Sequence, residues 1–185
     1  MEKLLSDDEV KKIAGRDSKV ITYPDLKKYS SIPQLFGKAN KIIILYLNER
    51  NGNSFIGHWV LLLRRKDKNG KEIIEFNDSY STYIDAYFDD QSSEQREMLD
   101  QGSGYLSRLL YKYCKNNPNV ELHYNEFPFQ KEGAGINTCG RWVGLRAHFS
   151  AVPLEKYQNL FQRVRANGHD LDKVVVDLTD ELLKS

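Results

Sequence analysis

Three apolar runs lie close together in the first half of the chain: KIIILYLN (residues 41–48), GHWVLLLRR (57–65) and EIIEFND (72–78). They constrain the fold more than any other feature. The first is apolar at consecutive positions, so both of its faces have something to bury, which predicts a central strand. The second and third are separated by KDKNGK (66–71), whose Asn-Gly pair predicts a tight turn and therefore a hairpin. A further strand is expected over residues 119–127 (NVELHYNEF).

Helices are expected around these strands. Ser6 caps a short one at residues 6–14, with Asp7, Asp8 and Glu9 favouring its start and Gly15 ending it. Residues 23–37 carry two prolines and read as a short helix with irregular loop. Residues 104–116 place Leu106, Leu109, Leu110 and Tyr113 on one helical face. Residues 139–150 and 153–166 read as helices, the latter with Pro153 near its first position. Residues 170–184 read as a helix or a strand plus a helix. Residues 79–104, rich in Ser, Asp, Gln and Gly, are expected to form a long surface loop with one helical turn. The fold class that follows is α+β: a central, mostly antiparallel sheet with helices packed against it. With 185 residues and no repeat or low-complexity linker, a single domain over 1–185 is expected, its core at about 40–150.

The same sequence narrows function. No apolar run approaches the length of a membrane span, and the acidic, polar start MEKLLSDDEV predicts no secretory leader. A net charge of +1 gives no bulk attraction to nucleic acid. The two cysteines and four histidines lack zinc-site spacing, so no metal and no cofactor is expected. Two cysteines without a leader point to free thiols in a reducing compartment.

The chemistry-bearing stretch is GINTCGRWVGLRAHF, residues 135–149. A cysteine at a helix start meets unsatisfied backbone N–H groups and the positive end of the helix dipole, which stabilise a thiolate. Cys139 has that placement, and Gly140 leaves room there for a substrate carbonyl. The bland alternative is a small buried hydrophobe. Among the four histidines, His58 stands at the start of an apolar strand and has a candidate acid across the hairpin. His123 lies on a strand, His148 sits nine residues beyond Cys139 on the same helix, and His169 lies in a turn.

Register decides whether that acid, Asp78, can reach His58. A two-residue Asn69-Gly70 turn sets His58 opposite Ser81 and points Asp78 to the other face. A three-residue type I turn, with Gly70 as the left-handed bulge residue, sets His58 opposite Tyr80 and makes Asp78 its diagonal neighbour on the same face. Diagonal Cβ atoms lie about 7–8 Å apart, close enough for an imidazole–carboxylate hydrogen bond. The competing reading of Asp78 is an Asx turn that closes the strand. Gln130 precedes Cys139 and offers a side-chain amide to a developing negative charge, or else is an exposed loop residue.

The order His58-Trp59 on a strand, Asp78-Ser79 after a hairpin, Gln130, then Cys139-Gly140 opening a helix resembles the adenain-like and SUMO-protease-like cysteine proteases of clan CE. The resemblance covers residues 40–150 and is nearest in flavour to the maturation proteases of virophages, Maverick-type elements and large DNA viruses. It implies a Cys139–His58–Asp78 triad with Gln130 as oxyanion donor and Trp59 beside the site. It also implies a polypeptide substrate, a capsid or core precursor cut at a small-residue, Gly-rich motif, in the host cytoplasm or the virion. One departure is the gap of nine positions from Gln130 to Cys139, wider than the family's. Either the intervening loop bulges and still delivers Gln130, or Asn137, two residues before Cys139, is the amide.

Other readings of the same residues are a ubiquitin- or SUMO-like isopeptidase, and a non-catalytic binding domain on a protease-like fold. An acetyltransferase using the same triad would need a dense basic cluster for an inositol phosphate, which the sequence lacks. The adenain resemblance also implies DNA or an activating peptide as partner. Arg141, Arg146, Lys156, Arg163 and Arg165 are mild support for DNA, Cys114 is a thiol that could tether a peptide, and the chain is otherwise expected to act as a monomer.

Overall fold

The structure is a computed structural model, described here for residues 4–51, 54–133 and 135–185. Residues 1–3, 52, 53 and 134 lie outside that description. With them go the first residues of the stretch expected to carry no leader, and one residue of the loop before Cys139.

The described strands are β1 (Ser18–Thr22), β2 (Lys41–Asn51), β3 (Ser54–Lys66), β4 (Glu72–Asp78) and β5 (Val120–Tyr124). They form one α+β sheet in the order β1-β2-β3-β4-β5. The helices are α1 (Asp7–Ala14), α2 (Ile32–Phe36), α3 (Ser93–Met98), α4 (Tyr105–Asn116), α5 (Cys139–His148), α6 (Leu154–Ala166) and α7 (Leu171–Lys184). Short tighter helices lie at Tyr23–Lys28 and Ala86–Asp90.

The sheet is mixed, which corrects the expectation of a mostly antiparallel one. β2–β3 and β3–β4 pair antiparallel, but both edges, β1–β2 and β4–β5, are parallel. Parallel neighbours need a long crossover, and the chain supplies two: the segment with α2 between β1 and β2, and residues 79–119 between β4 and β5. β1 was not anticipated. Every residue of SKVIT is half-buried, as befits an edge strand, so neither alternation nor a continuous apolar run marks it.

The centre of the sheet follows the sequence closely. Ile42, Ile44 and Tyr46 of β2 join Val60, Leu62, Ile74 and Phe76 on one face, packed under α2 and α4. Ile43, Leu45 and Leu47 join Trp59, Leu61 and Leu63 on the other, packed against α1 and α5. Helix α5 is buried from Cys139 to Ala147. A helix buried on all sides is a core element: α5 lies between the sheet and a third cluster of Phe129, Trp142, Leu145, Tyr157, Phe161, Leu171 and Val175. Residues 79–104 are more than a surface loop. Gln91 and Gln101 are buried, and their amides donate to the Leu47 carbonyl at 2.8 and 2.5 Å. The Leu47 N–H in turn donates to Gln101 Oε1 at 3.1 Å.

The helix starts are chemically explicit. Ser6 and Glu9 form a reciprocal capping box at α1. Ser31, Ser92 and Asp170 cap α2, α3 and α7 through their side chains. Thr138, at the start of α5, does not.

Candidate active site

The β3–β4 turn fixes the site. Asp67 and Lys71 close it with a 2.9 Å hydrogen bond, and Gly70, at φ +79°, takes the left-handed position. This is the three-residue bulged turn. It sets Val60 opposite Asp78 and makes Asp78 the diagonal neighbour of His58. The imidazole Nε2 lies 2.9 Å from Asp78 Oδ1, and both side chains are buried.

Asp78 is held from all sides. Its Oδ1 also accepts the Tyr80 N–H at 2.8 Å, and its Oδ2 accepts the Thr82 hydroxyl at 2.5 Å. The Tyr80 contact is an Asx turn, so Asp78 both closes its strand and partners His58; the two readings are not alternatives. The Asp78 backbone is clamped by Asn125, whose Oδ1 accepts its N–H at 2.9 Å and whose Nδ2 donates to its carbonyl at 2.7 Å. Asn125 immediately follows β5, so its side-chain amide continues the β4–β5 pairing where the backbone has left it.

Cys139 is the first residue of α5 and is 6% exposed, as is His58. With Nε2 committed to Asp78, Nδ1 is the imidazole nitrogen left for the thiol, and each group shifts the other's pKa. Burial pushes the Cys139 thiol up, but the hydrogen bond and charge of His58, then the backbone N–H groups of Trp59 and Gly140, hold it below its ordinary value. Burial likewise opposes the charged imidazole, yet Asp78 and then Cys139 raise His58 above its usual value. Burial works against the Asp78 carboxylate, and the His58 charge with its three hydrogen-bond donors lowers it nonetheless. The arrangement favours a thiolate–imidazolium pair backed by a carboxylate.

Two rings flank the imidazole: Tyr80, stacked at 5.1 Å between centroids, and Tyr87, stacked at 5.5 Å. Trp59, expected beside the site, packs with Cys139, Val10 and Val143, while the His58 side chain leaves the other face of β3. This follows from strand alternation, which sends successive side chains to opposite faces. Gly140 serves close packing there: a Cβ would lie 3.1 Å from Trp59 Cδ1 and 3.2 Å from Val10 Cγ2.

Gln130 is buried, and its backbone N–H donates to the Ser79 carbonyl at 3.0 Å. The Ser79 hydroxyl donates to Gln130 Oε1 at 2.8 Å, which turns Nε2 toward the Tyr80 hydroxyl at 3.0 Å and the Ile136 carbonyl at 3.2 Å. Asp78 and Ser79 thus orient His58 and Gln130 respectively. In the loop that follows, the Ile136 N–H donates to the Gly133 carbonyl at 3.3 Å, and Gly135 takes φ +85°. Asn137 is half-buried, and no side-chain hydrogen bond to a described residue holds its amide. Of the two amides, Gln130 is the one the structure holds in place.

The remaining candidates fall elsewhere. His123 bonds Glu121 on edge strand β5, His148 bonds the Ile13 carbonyl, and His169 is exposed. Arg141 and Arg146, counted toward a basic surface, are buried and paired with Asp180 and Glu75. Cys114 is half-buried and free, and burial pushes its thiol up, away from ready exchange. Among the described residues no cluster of three His, Cys, Asp or Glu is placed to hold a metal, and no helix is long and apolar enough to cross a membrane. Sequence reasoning missed Tyr87, Thr82 and Asn125, which reach the site only through the fold.

These features define an α+β protein with a buried cysteine–histidine–aspartate cluster at the start of a core helix. No protein-family model matches the chain. It is 35% identical over 156 residues to the uncharacterized protein V9 of Sputnik virophage, covering 83% of this chain and 82% of V9. The chain belongs to the family of that virophage protein. It is also similar, at 14% identity and a TM-score of 0.45, to the central domain of the uncharacterized Lpg1148 protein from Legionella pneumophila, over 99% of this chain and 98% of that one.

Proposed function

We propose that this protein is a cysteine endopeptidase of the adenain-like, SUMO-protease-like type, cleaving a viral capsid or core precursor after a small-residue motif. The observation that carries the proposal is the buried His58–Asp78 pair at 2.9 Å, electrostatically coupled to a buried cysteine that opens a core helix. The kinship with a virophage protein supports the viral setting, in the virion or the host cytoplasm.

In this mechanism the Cys139 thiolate attacks the peptide carbonyl carbon and a C–S bond forms. The carbonyl electron pair moves to oxygen, which is stabilised by the Cys139 N–H, an N–H of the first helical turn with no intrahelical partner. Gln130 Nε2 joins it by releasing the Tyr80 hydroxyl or the Ile136 carbonyl. As the C–N bond breaks, His58 gives its proton to the leaving amine. Water then attacks the thioester, His58 takes a proton from it, and the carboxylic acid leaves the regenerated thiolate. Asp78 keeps the imidazole oriented and supports its charge throughout.

The test is cleavage of purified capsid precursor from the same virus by the wild-type chain, with Cys139→Ala and His58→Ala as controls. Discrete products from wild type alone are expected. Cleavage of a ubiquitin-like reporter and not of the precursor would move the assignment to an isopeptidase. No cleavage together with an ordinary Cys139 thiol would leave a binding domain.

A further inference from the structure

Gln130 and Cys139 are separated by residues 131–138, and a single carboxylate spans that loop. Asp172, in the first turn of α7, is 5% exposed. Its Oδ2 accepts the backbone N–H of Lys131 at 3.0 Å, and its Oδ1 accepts the Thr138 hydroxyl at 2.5 Å. Lys131 is the residue after Gln130, and Thr138 is the residue before Cys139. The two ends of the loop therefore meet on one side chain. Trp142 Nε1 approaches the same Oδ1 at 3.4 Å from one turn into α5.

Ser and Thr at a helix start normally turn their hydroxyl onto the first-turn N–H groups. Thr138 makes no such cap; its hydroxyl instead donates to Asp172. A buried carboxylate that accepts from Lys131, Thr138 and Trp142 is also a stiff support, because charge-assisted hydrogen bonds are the strong ones.

We infer that Asp172 is a positioning residue that assembles the oxyanion site: it clamps Gln130 to Cys139 across the intervening loop. This rests on the acyl-transfer reading of Cys139. Asp172 lies outside residues 40–150, where the motif set is found, and touches neither His58 nor Asp78. It acts on the carbonyl-binding half of the site and leaves the thiolate–imidazolium half alone.

Two small electrophiles separate those halves. Iodoacetamide reacts with the thiolate by direct displacement and needs no oxyanion donor. p-Nitrophenyl acetate reacts through a tetrahedral oxyanion, forming an acetyl thioester on Cys139 and releasing one nitrophenolate. Both are measured in a Cys114→Ser background. For Asp172→Ala, the nitrophenolate burst rate is expected to fall about ten-fold or more, with the iodoacetamide rate and its pH profile within about two-fold of wild type. Gln130→Ala is expected to lower the burst by a comparable factor, and the double variant by no more than the larger single effect, since one residue acts through the other. Asp172→Asn, which can accept from Lys131 and donate to the Thr138 oxygen, is expected to retain most of the burst. Thr138→Val cuts one tether without touching α7 and replaces Asp172→Ala if that variant does not fold; its burst falls with the alkylation rate unchanged. An Asp172→Ala burst equal to wild type, a matching fall in alkylation, or multiplicative losses in the double variant would overturn the inference. A wild-type chain with no burst and an ordinary thiol would instead remove the acyl-transfer reading beneath it.

Discussion

Arg146 of α5 grips Glu75 of β4 with two hydrogen bonds of 2.7 and 2.8 Å, and both side chains are fully buried. The same guanidinium donates to the Phe149 carbonyl at 2.8 Å and lies 4.9 Å from the Tyr157 ring. Glu75 is three residues before Asp78, and Arg146 is seven after Cys139. The pair therefore fixes the helix that carries the cysteine against the strand that carries the acid. Removing one partner strands a buried charge. Glu75→Ala and Arg146→Ala are each expected to cost about 3–5 kcal/mol, whereas replacing both by apolar residues of similar volume should cost much less. Urea denaturation of the single and double variants checks this.

Helix α5 also lies unusually close to α1. A Cβ on Gly144 would stand 2.9 Å from Ile13 Cγ2 and 3.0 Å from Ile13 Cβ, whereas one on Gly140 meets its nearest atoms at 3.1 and 3.2 Å. Alanine is the better helix former by about 1 kcal/mol, yet packing opposes it here. Gly144→Ala is expected to lower stability by about 1–3 kcal/mol, and Gly140→Ala by less. Thermal melting of both variants gives the order directly.

The stacked tyrosines make a prediction about charge. A cation over an aromatic face gains about 0.5–2 kcal/mol, more when water is excluded. The imidazole of His58 is flanked by the stacked rings of Tyr80 and Tyr87, which would favour its charged form. Tyr87→Leu removes one ring and none of the hydrogen bonds given for His58 or Asp78. It should weaken the thiolate–imidazolium pair and move the inflection of Cys139 alkylation upward by about half a pH unit or more. Tyr80→Phe keeps the ring and loses only the hydroxyl contact to Gln130, so its inflection should stay in place.

Much of this was legible in the sequence where the signal is local. KDKNGK contains the glycine that both candidate turns require, so the sequence reduced the register of His58 and Asp78 to two choices and the fold took the bulged one. The starts of α1, α5 and β4 fall where capping residues and apolar periodicity put them. What escaped lacks a local signal. SKVIT forms strand β1 only because β2 lies beside it. The side of the sheet that Trp59 occupies, the Tyr80–Tyr87 sandwich and the Asn125 clamp depend on segments that meet only once folded. Asp172 stands 34 positions from the threonine it holds. The site's chemical groups were readable in order along the chain, whereas the residues that hold them in place were not.

The central claim is that Cys139 is an activated nucleophile paired with His58. The thiol is lowered and the imidazole raised, so the charged pair exists between the two values. As pH falls through the thiol's value the sulfur is protonated and the pair is lost; as pH rises through the imidazole's value the positive charge is lost. The most direct measurement is the rate of Cys139 alkylation by iodoacetamide against pH, in Cys114→Ser and in Cys114→Ser/His58→Ala. The account requires an inflection well below about 8.5 in the first and a return toward about 8.5 in the second. An ordinary inflection in both, or one that ignores His58, would contradict it.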